Sequence, residues 1–330
     1  MKHLHLLIPD FFPPQDIAAE VCAGLQLPAL EKLLARGNSG ATPAQTLEDW
    51  LCIAFGAQAV APVRAAADGL ATDEGYWLCA DPVNLQLQRA QMLLLPDVLL
   101  SREEAEALCA SLNEHFAGMG LRFFAPHPQR WYVRLEVDQM LTTTPLRQAA
   151  WRDAKFHQPQ GAEALRWQAI VNEAQMLLHG HTLNQARAAR GELAINSLWL
   201  WGGGRASQLN KAFDAVGGDC ALGMAFAQAA CVPQSDSLEA MLGGEGAHGL
   251  WICAAPGEAQ QRGDYLAWRE AVQRVEQDCA QPLLLALRSG RLQGLALEVS
   301  HGESVRRFEL TRGSAWKLWR AVPSLARYAV

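Results

Sequence analysis

The chain has 330 residues, half of them hydrophobic and 19% charged, with a formal net charge of −6 and a pI near 5.9. That length suits one large α/β domain or a core with a smaller companion, and the acidic balance excludes a broad basic footprint for nucleic acid. No apolar run approaches the roughly 18–20 residues that cross a bilayer, and the opening Met1-Lys-His-Leu-His-Leu-Leu-Ile-Pro-Asp10 is too short for a secretory leader, so a cytoplasmic protein without a membrane partner is expected.

In chain order, His3–Ile8 reads as a first buried strand and Pro28–Arg36 as a helix stopped by Gly37. Leu47–Phe55 reads as a helix ended by Gly56, and the alanine-rich stretch 57–72 as a third helix or a loop. From Tyr76 the texture changes. Asn84-Leu-Gln-Leu-Gln-Arg89 alternates as a half-exposed strand does, 93–95 offers it a partner, and Ser101-x-x-Glu104 signals a capping box for a helix through Phe116. Strands at 121–124 and 131–135 complete an antiparallel α/β unit over 77–140, inserted into a core made of 1–76 and 141–330.

Residues 161–178 carry the apolar spacing of an amphipathic helix. A strand then runs through Trp199 and Trp201 into Gly202-Gly203-Gly204-Arg205. Beyond it, helices are expected at 221–230 and 263–279 and a short one at 315–321. Strands are expected at 249–254, 282–287 and 295–300, with an alternating edge strand at 305–310. This alternation implies an α/β fold with a largely parallel sheet covered by helices on both faces. The eight cysteines form no Cys-x-x-Cys pair and read as reduced core thiols.

The strand-to-glycine turn at 202–205 brings bare backbone N–H groups to a sheet edge, and Arg205 could clamp phosphate or carboxylate there. Asn184 and Arg187 precede it on a helix. The alternative for the glycines is close packing of a helix on the sheet, and for Arg187 an ordinary salt bridge. Asp10, after the first strand, suits either a ligand at the sheet's carboxyl edge or a turn before Pro13-Pro14.

Four segments in order resemble the archaeal-type, cofactor-independent phosphoglycerate mutases of the alkaline phosphatase superfamily. They are Leu6–Asp10 with Leu27–Gly37, the insert with Trp131-Tyr132-Val133-Arg134, the run from His181 through Asn184, Arg187 and Gly191 to Arg205, and Ala255-Pro256-Gly257-Glu258-Ala259-Gln260-Gln261-Arg262-Gly263-Asp264. The chain is also similar to a proteobacterial group known either as phosphoglycerate mutase or as pathogenicity-factor regulatory protein E, two different functional claims.

The resemblance implies an alkaline phosphatase-like core with a lid-like insert. It also implies a site of two divalent metals, Mn or Zn, activating a Ser or Thr nucleophile. The first metal Asp falls on Asp10 and the nucleophile near Thr46 or Leu47, with Ser39 and Thr42 as displaced candidates. At the later positions, Gly257 stands for a metal Asp, Gln261 for a metal His, and Ser300-His301 for an Asp-His pair.

Three lost ligands imply a non-catalytic, regulatory or scaffold protein with no metal cofactor. It would bind a small phosphorylated or anionic ligand through Asn184, Arg187, Gly202, Gly203, Gly204 and Arg205, and a protein partner through the insert's strand edges and Trp131-Tyr132. The alternative is a metal-dependent mutase or phosphomonoesterase with rearranged ligands, using Thr46, Asp10 and His301.

Overall fold

The computed structural model describes residues 1–42, 45–301 and 304–329, and of residues 41, 42, 301 and 304 the backbone alone. Twelve strands are described: β1 (His3–Ile8), β2 (Asn38–Thr42), β3 (Tyr76–Gln88), β4 (Gln91–Leu95), β5 (Arg122–His127), β6 (Arg130–Leu135), β7 (Ser197–Gly204), β8 (Ala215–Gly218), β9 (Gln234–Ser235), β10 (His248–Ile252), β11 (Gly294–His301) and β12 (Ser304–Thr311). The backbone forms two compact units, residues 1–55 with 209–330, and residues 56–208.

The first unit holds a seven-stranded sheet in the order β2-β12-β11-β1-β10-β8-β9. The run β11-β1-β10-β8-β9 is parallel, while β12 is antiparallel to both β11 and β2. Strand alternation sends Leu4, Leu6 and Ile8 of β1 and Leu295, Leu297 and Val299 of β11 into one core. There they meet Leu30 and Leu33 of the helix Pro28–Arg36, Trp268 of the helix Tyr265–Arg274, and Leu283 and Leu287. Each such side chain contributes about 1.5–3 kcal/mol on burial. The opposite face carries His5 of β1 and Glu298 of β11, against rings from the helix Leu47–Phe55 and from Phe213.

The strand expected at 282–287 is instead the helix Gln281–Ser289, with proline in its first turn, where a missing N–H is harmless. Leu283, Leu284, Ala286 and Leu287 are buried and Leu285 faces out, so the leucine run wraps a helix rather than filling a strand. The helix expected over 263–279 ends at Arg274 and continues as a six-residue π-turn, Val275–Ala280. This turn carries Glu276, whose buried carboxylate accepts from Ala29 N at 2.9 Å and Leu30 N at 2.8 Å. It thereby caps the helix Pro28–Arg36, whose own N-cap, Leu27, has no capping side chain. At 315–321 only a single 3₁₀ turn forms, Ser314–Trp316.

The second unit has an antiparallel sheet in the order β4-β3-β6-β5, with β7 also paired to β3. The capping box at Ser101 is present: its Oγ accepts from Glu104 N at 3.2 Å, and its own N–H donates to the Glu104 carboxylate at 3.1 Å. Helices Arg102–His115 and Ala164–Gly180 pack into one core with Tyr76, Trp131, Val133, Leu198 and Leu200. Because β7 lies along β3 and Trp167 and Ile170 join this core, the compact unit reaches from 56 to 208, beyond the 77–140 read from the sequence. Trp131 and Tyr132 are fully buried and cannot present an exposed docking surface, since alternation along β6 is overridden by cover on both faces.

Candidate functional site

The parallel strands of the first unit deliver three of the aligned positions to one place. β1 ends at Ile8, and the chain turns through Pro9 into Asp10, which takes a left-handed φ of 50°. That conformation is unfavourable for a residue with a Cβ, although aspartate tolerates it better than most. It is held from β11: Asp10 N donates to Ser300 Oγ at 2.6 Å and Phe11 N to Ser300 O at 3.0 Å. From β10 the chain enters the helix Ala255–Gln261, and Gln261 at its end donates through Nε2 to Asp10 Oδ2 at 2.9 Å. Asp10, Ser300 and Gln261 thus form one hydrogen-bonded cluster at the sheet's carboxyl edge.

Next to it, Asp219 follows β8 and accepts from Ala254 N at 2.5 Å and Ala255 N at 3.2 Å, placing its carboxylate at the N-terminus of that same helix. Gly257 is buried in the helix's first turn, and Asp264 caps the next helix by accepting from Ala267 N at 2.9 Å. Thr46 also acts as a cap, its hydroxyl accepting from Asp49 N at 2.9 Å at the start of the helix Leu47–Phe55. The side chain of His301 lies outside the described residues.

A second polar centre sits on the sheet face. Buried Glu298 accepts from Trp50 Nε1 at 2.7 Å and Arg307 Nη1 at 3.0 Å, and lies 3.3 Å from His5 Nε2. Burial pushes its carboxyl upward, but His5, Trp50 and Arg307 outweigh this and hold it below the ordinary glutamate value. A groove of about 380 Å³ opens beside it, lined by His3, His5, Phe213, His248, Arg307 and Glu309 among others. His3 and His248 are register partners on β1 and β10 with stacked rings 5.2 Å apart. The sequence clue to this centre was a polar series on alternate positions, His3, His5 and Glu298, within otherwise apolar strands.

The remaining expected residues lie in the second unit, in two separate places. Asn184 is a backbone organiser: its Nδ2 donates to Leu178 O and Ile195 O, both at 2.7 Å, and its Oδ1 accepts from Ile195 N at 2.9 Å. Arg187 is 2% exposed and spends three nitrogens on Leu193 O at 3.0 Å, Glu104 Oε2 at 2.7 Å and Leu99 O at 2.7 Å. The neighbouring cavity, about 640 Å³, sets Asp97, Glu104 and Glu192 against Arg187 and Arg190, a poor balance for phosphate.

At the end of β7, a Cβ on Gly203 would meet Leu78 Cδ2 at 2.5 Å and one on Gly204 would meet Ala59 Cβ at 2.4 Å. These glycines let the strand lie against its neighbours. Arg205 is half-exposed and pairs with Asp138 at 2.5 Å and Glu136 O at 3.0 Å.

Below them lies a network with no counterpart in the sequence reading. Buried Arg64 binds Asp81 through both terminal nitrogens, at 2.9 and 2.5 Å, and stacks between Tyr132 and Trp201, each 4.9 Å from its carbon. Asp81 also accepts from Trp131 N at 3.2 Å and Trp201 Nε1 at 2.8 Å. The indole of Trp199 donates to Thr144 O at 2.9 Å.

No protein-family model matches the chain. Over 69 residues, 21% of this chain, it is 30% identical to a Geobacter sulfurreducens protein described as "probable 2,3-bisphosphoglycerate-independent phosphoglycerate mutase", and the match spans 17% of that relative's length. A solved structure, the PH0037 protein from Pyrococcus horikoshii, aligns with a TM-score of 0.57 at 14% identity, covering 94% of this chain and 87% of that one. A cofactor-independent phosphoglycerate mutase from Thermoplasma acidophilum aligns with a TM-score of 0.49 at 13% identity, over 99% of this chain and 94% of that one. No single helix among the described residues is long and apolar enough to cross a membrane. The chain has an α/β fold with a largely parallel central sheet and a separate antiparallel sheet, and it shares its fold with the Pyrococcus protein.

Proposed function

We propose that this chain is built on the scaffold of the cofactor-independent phosphoglycerate mutases, has given up their two-metal phosphoryl transfer, and serves as a regulatory or scaffold protein. The observation that carries the reading is the hydrogen-bonded cluster of Asp10, Gln261 and Ser300. A Lewis-acid metal needs lone pairs converging on one point. Here Gln261 turns an N–H toward the Asp10 carboxylate, and the Ser300 hydroxyl oxygen receives the Asp10 N–H. Asp219 is taken up by helix amides, and Gly257 has no donor atom. Among the described residues no group of three or more His, Cys, Asp or Glu converges in a way that could hold a metal ion. The described donors, which leave out the His301 side chain, do not fit a pair of divalent metals, so no catalytic step is derived through metals.

The anionic ligand belongs to the same proposal, at Arg205. Its pair with Asp138 is solvent-exposed and worth at most about 1 kcal/mol, so a phosphate or carboxylate can replace Asp138. The 69-residue likeness to the Geobacter protein favours the second reading, a working mutase or phosphomonoesterase with rearranged ligands.

The two separate cleanly in an assay. Purified chain supplied with Mn²⁺ or Zn²⁺ is tested for interconversion of 2- and 3-phosphoglycerate and against a phosphomonoester panel. No turnover is expected, whereas turnover abolished by Asp10→Ala establishes the enzyme.

A further inference from the structure

Charge is unevenly distributed along this acidic chain. Residues 310–330 hold Arg312, Lys317, Arg320 and Arg327 and no carboxylate, and residues 279–297 hold Arg288 and Arg291 and no carboxylate. Within the first unit these stretches pack together, the helix Gln281–Ser289 against the turn Ser314–Trp316, with the Arg288 guanidinium 5.4 Å above the Trp316 ring. Arg36 lies close enough to Arg288 for the two cations to repel, which lowers the Arg36 pKa further than burial alone does.

Large apolar side chains stand out among these cations. Trp319 is 80% exposed, Leu318 66%, Leu285 64% and Trp316 52%. None of them lines a described cavity.

The segment is anchored from beneath. Arg36 Nη1 donates to Ala315 O at 2.7 Å, Arg320 Nη1 to Gly37 O at 2.9 Å and Ala35 O at 3.2 Å, and Lys317 Nζ to Asn38 Oδ1 at 3.3 Å. The backbone that carries the indoles is fixed, and water contact on both rings is a built property of the folded unit.

We propose that the face built from Leu285, Arg288, Trp316, Leu318 and Trp319 is a docking surface for an anionic phospholipid bilayer. Two features select that partner. Protruding tryptophan and leucine with flanking Lys and Arg match the headgroup boundary, where indole rings and long cationic side chains are at home, and a bilayer deforms around projections that would need a fitted pocket on a protein. The surplus of six Lys and Arg in these two stretches, against Glu31, which accepts from Leu325 N at 2.9 Å, supplies the attraction to negative headgroups that a chain of net charge −6 otherwise lacks.

The test is vesicle flotation of the full chain. Phosphatidylcholine vesicles are compared with vesicles containing a third phosphatidylglycerol, at low and high salt. The chain is expected to float with the anionic vesicles only and to be released by salt. Lys317→Ala is expected to weaken partition about fivefold, the equivalent of about 1 kcal/mol per cation. Leu318→Ser combined with Trp319→Ser is expected to weaken it at least about tenfold. Both positions are exposed, so the fold survives, and Leu165→Ser, an equally exposed leucine of the other unit, leaves partition unchanged. Failure to float with anionic vesicles, or flotation indifferent to the Leu318 and Trp319 changes, overturns the proposal. So does self-association, or binding to a single-stranded oligonucleotide, that the double variant abolishes while no vesicle binding is seen.

Discussion

Arg187→Ala separates a structural arginine from a ligand-binding one. The side chain is 2% exposed and its three donors reach Leu193 O, Glu104 Oε2 and Leu99 O. Glu104 keeps Arg190 at 2.8 Å and Ser101 N at 3.1 Å after the change, so the loss falls mainly on the two carbonyls. Both carbonyls belong to exposed residues lining the open cavity, where water can replace the guanidinium, so each lost bond costs about 0.5–1.5 kcal/mol. With the lost charge-assisted bond to Glu104, the total comes to about 3–5 kcal/mol. For a unit the size of residues 56–208, 1 kcal/mol shifts the midpoint by about 2–4 °C, so a fall of roughly 6–20 °C is expected. Arg187→Lys recovers little of it, because an ammonium cannot span three divergent acceptors as the planar fork does. Thermal unfolding followed by circular dichroism reads the shift, and phosphate binding to the folded variant is measured alongside. A midpoint within about 2 °C of the parent, together with loss of phosphate binding, refutes the structural assignment.

Further outcomes follow from other buried groups. Arg64→Met leaves Asp81 charged and buried, and is expected to cost about 3–5 kcal/mol in denaturant titration. Combining it with Asp81→Asn should cost clearly less than the two single changes added, and strict additivity would contradict the pairing. Glu298 gives the first unit a pH dependence: because its folded pKa is depressed, its contribution is complete above the ordinary value of 4.5 and is lost as pH falls through the lower folded value. Glu298→Gln should flatten stability over that acid range, and an unchanged pH profile would count against the assignment. Arg205→Ala should leave the melting temperature nearly unchanged, since its pair with Asp138 is exposed, while removing any phosphate binding at that edge.

Three strands of the parallel core, β1, β10 and β11, were legible because they are short apolar runs, whereas β8 and β9 are too short and too poor in apolar residues to read, and the Ser101 capping box was readable from two residues. The leucine run 282–287 misled, since a continuous apolar stretch has no period to tell strand from helix, and only the outward Leu285 does so in the structure. β2 was unread: Asn38-Ser-Gly-Ala-Thr42 has Thr42 as its one strand-forming residue and is made a strand by pairing with β12. The Asp10, Gln261 and Ser300 positions were found one by one, but their meeting depends on β1, β10 and β11 being neighbours, which distant segments do not reveal. The Arg64–Asp81 network was hidden for the same reason, each partner looking like an ordinary surface charge until both faces of β3 are covered.

The central claim is that hydrogen bonds, and not metal ions, complete the cluster at Asp10. Elemental analysis of chain purified with Mn²⁺ and Zn²⁺ supplied, repeated on Asp10→Ala, tests it most directly. The account predicts no stoichiometric metal in either protein. About two metal ions per chain in the parent, lost in the variant, would contradict it and restore the catalytic centre.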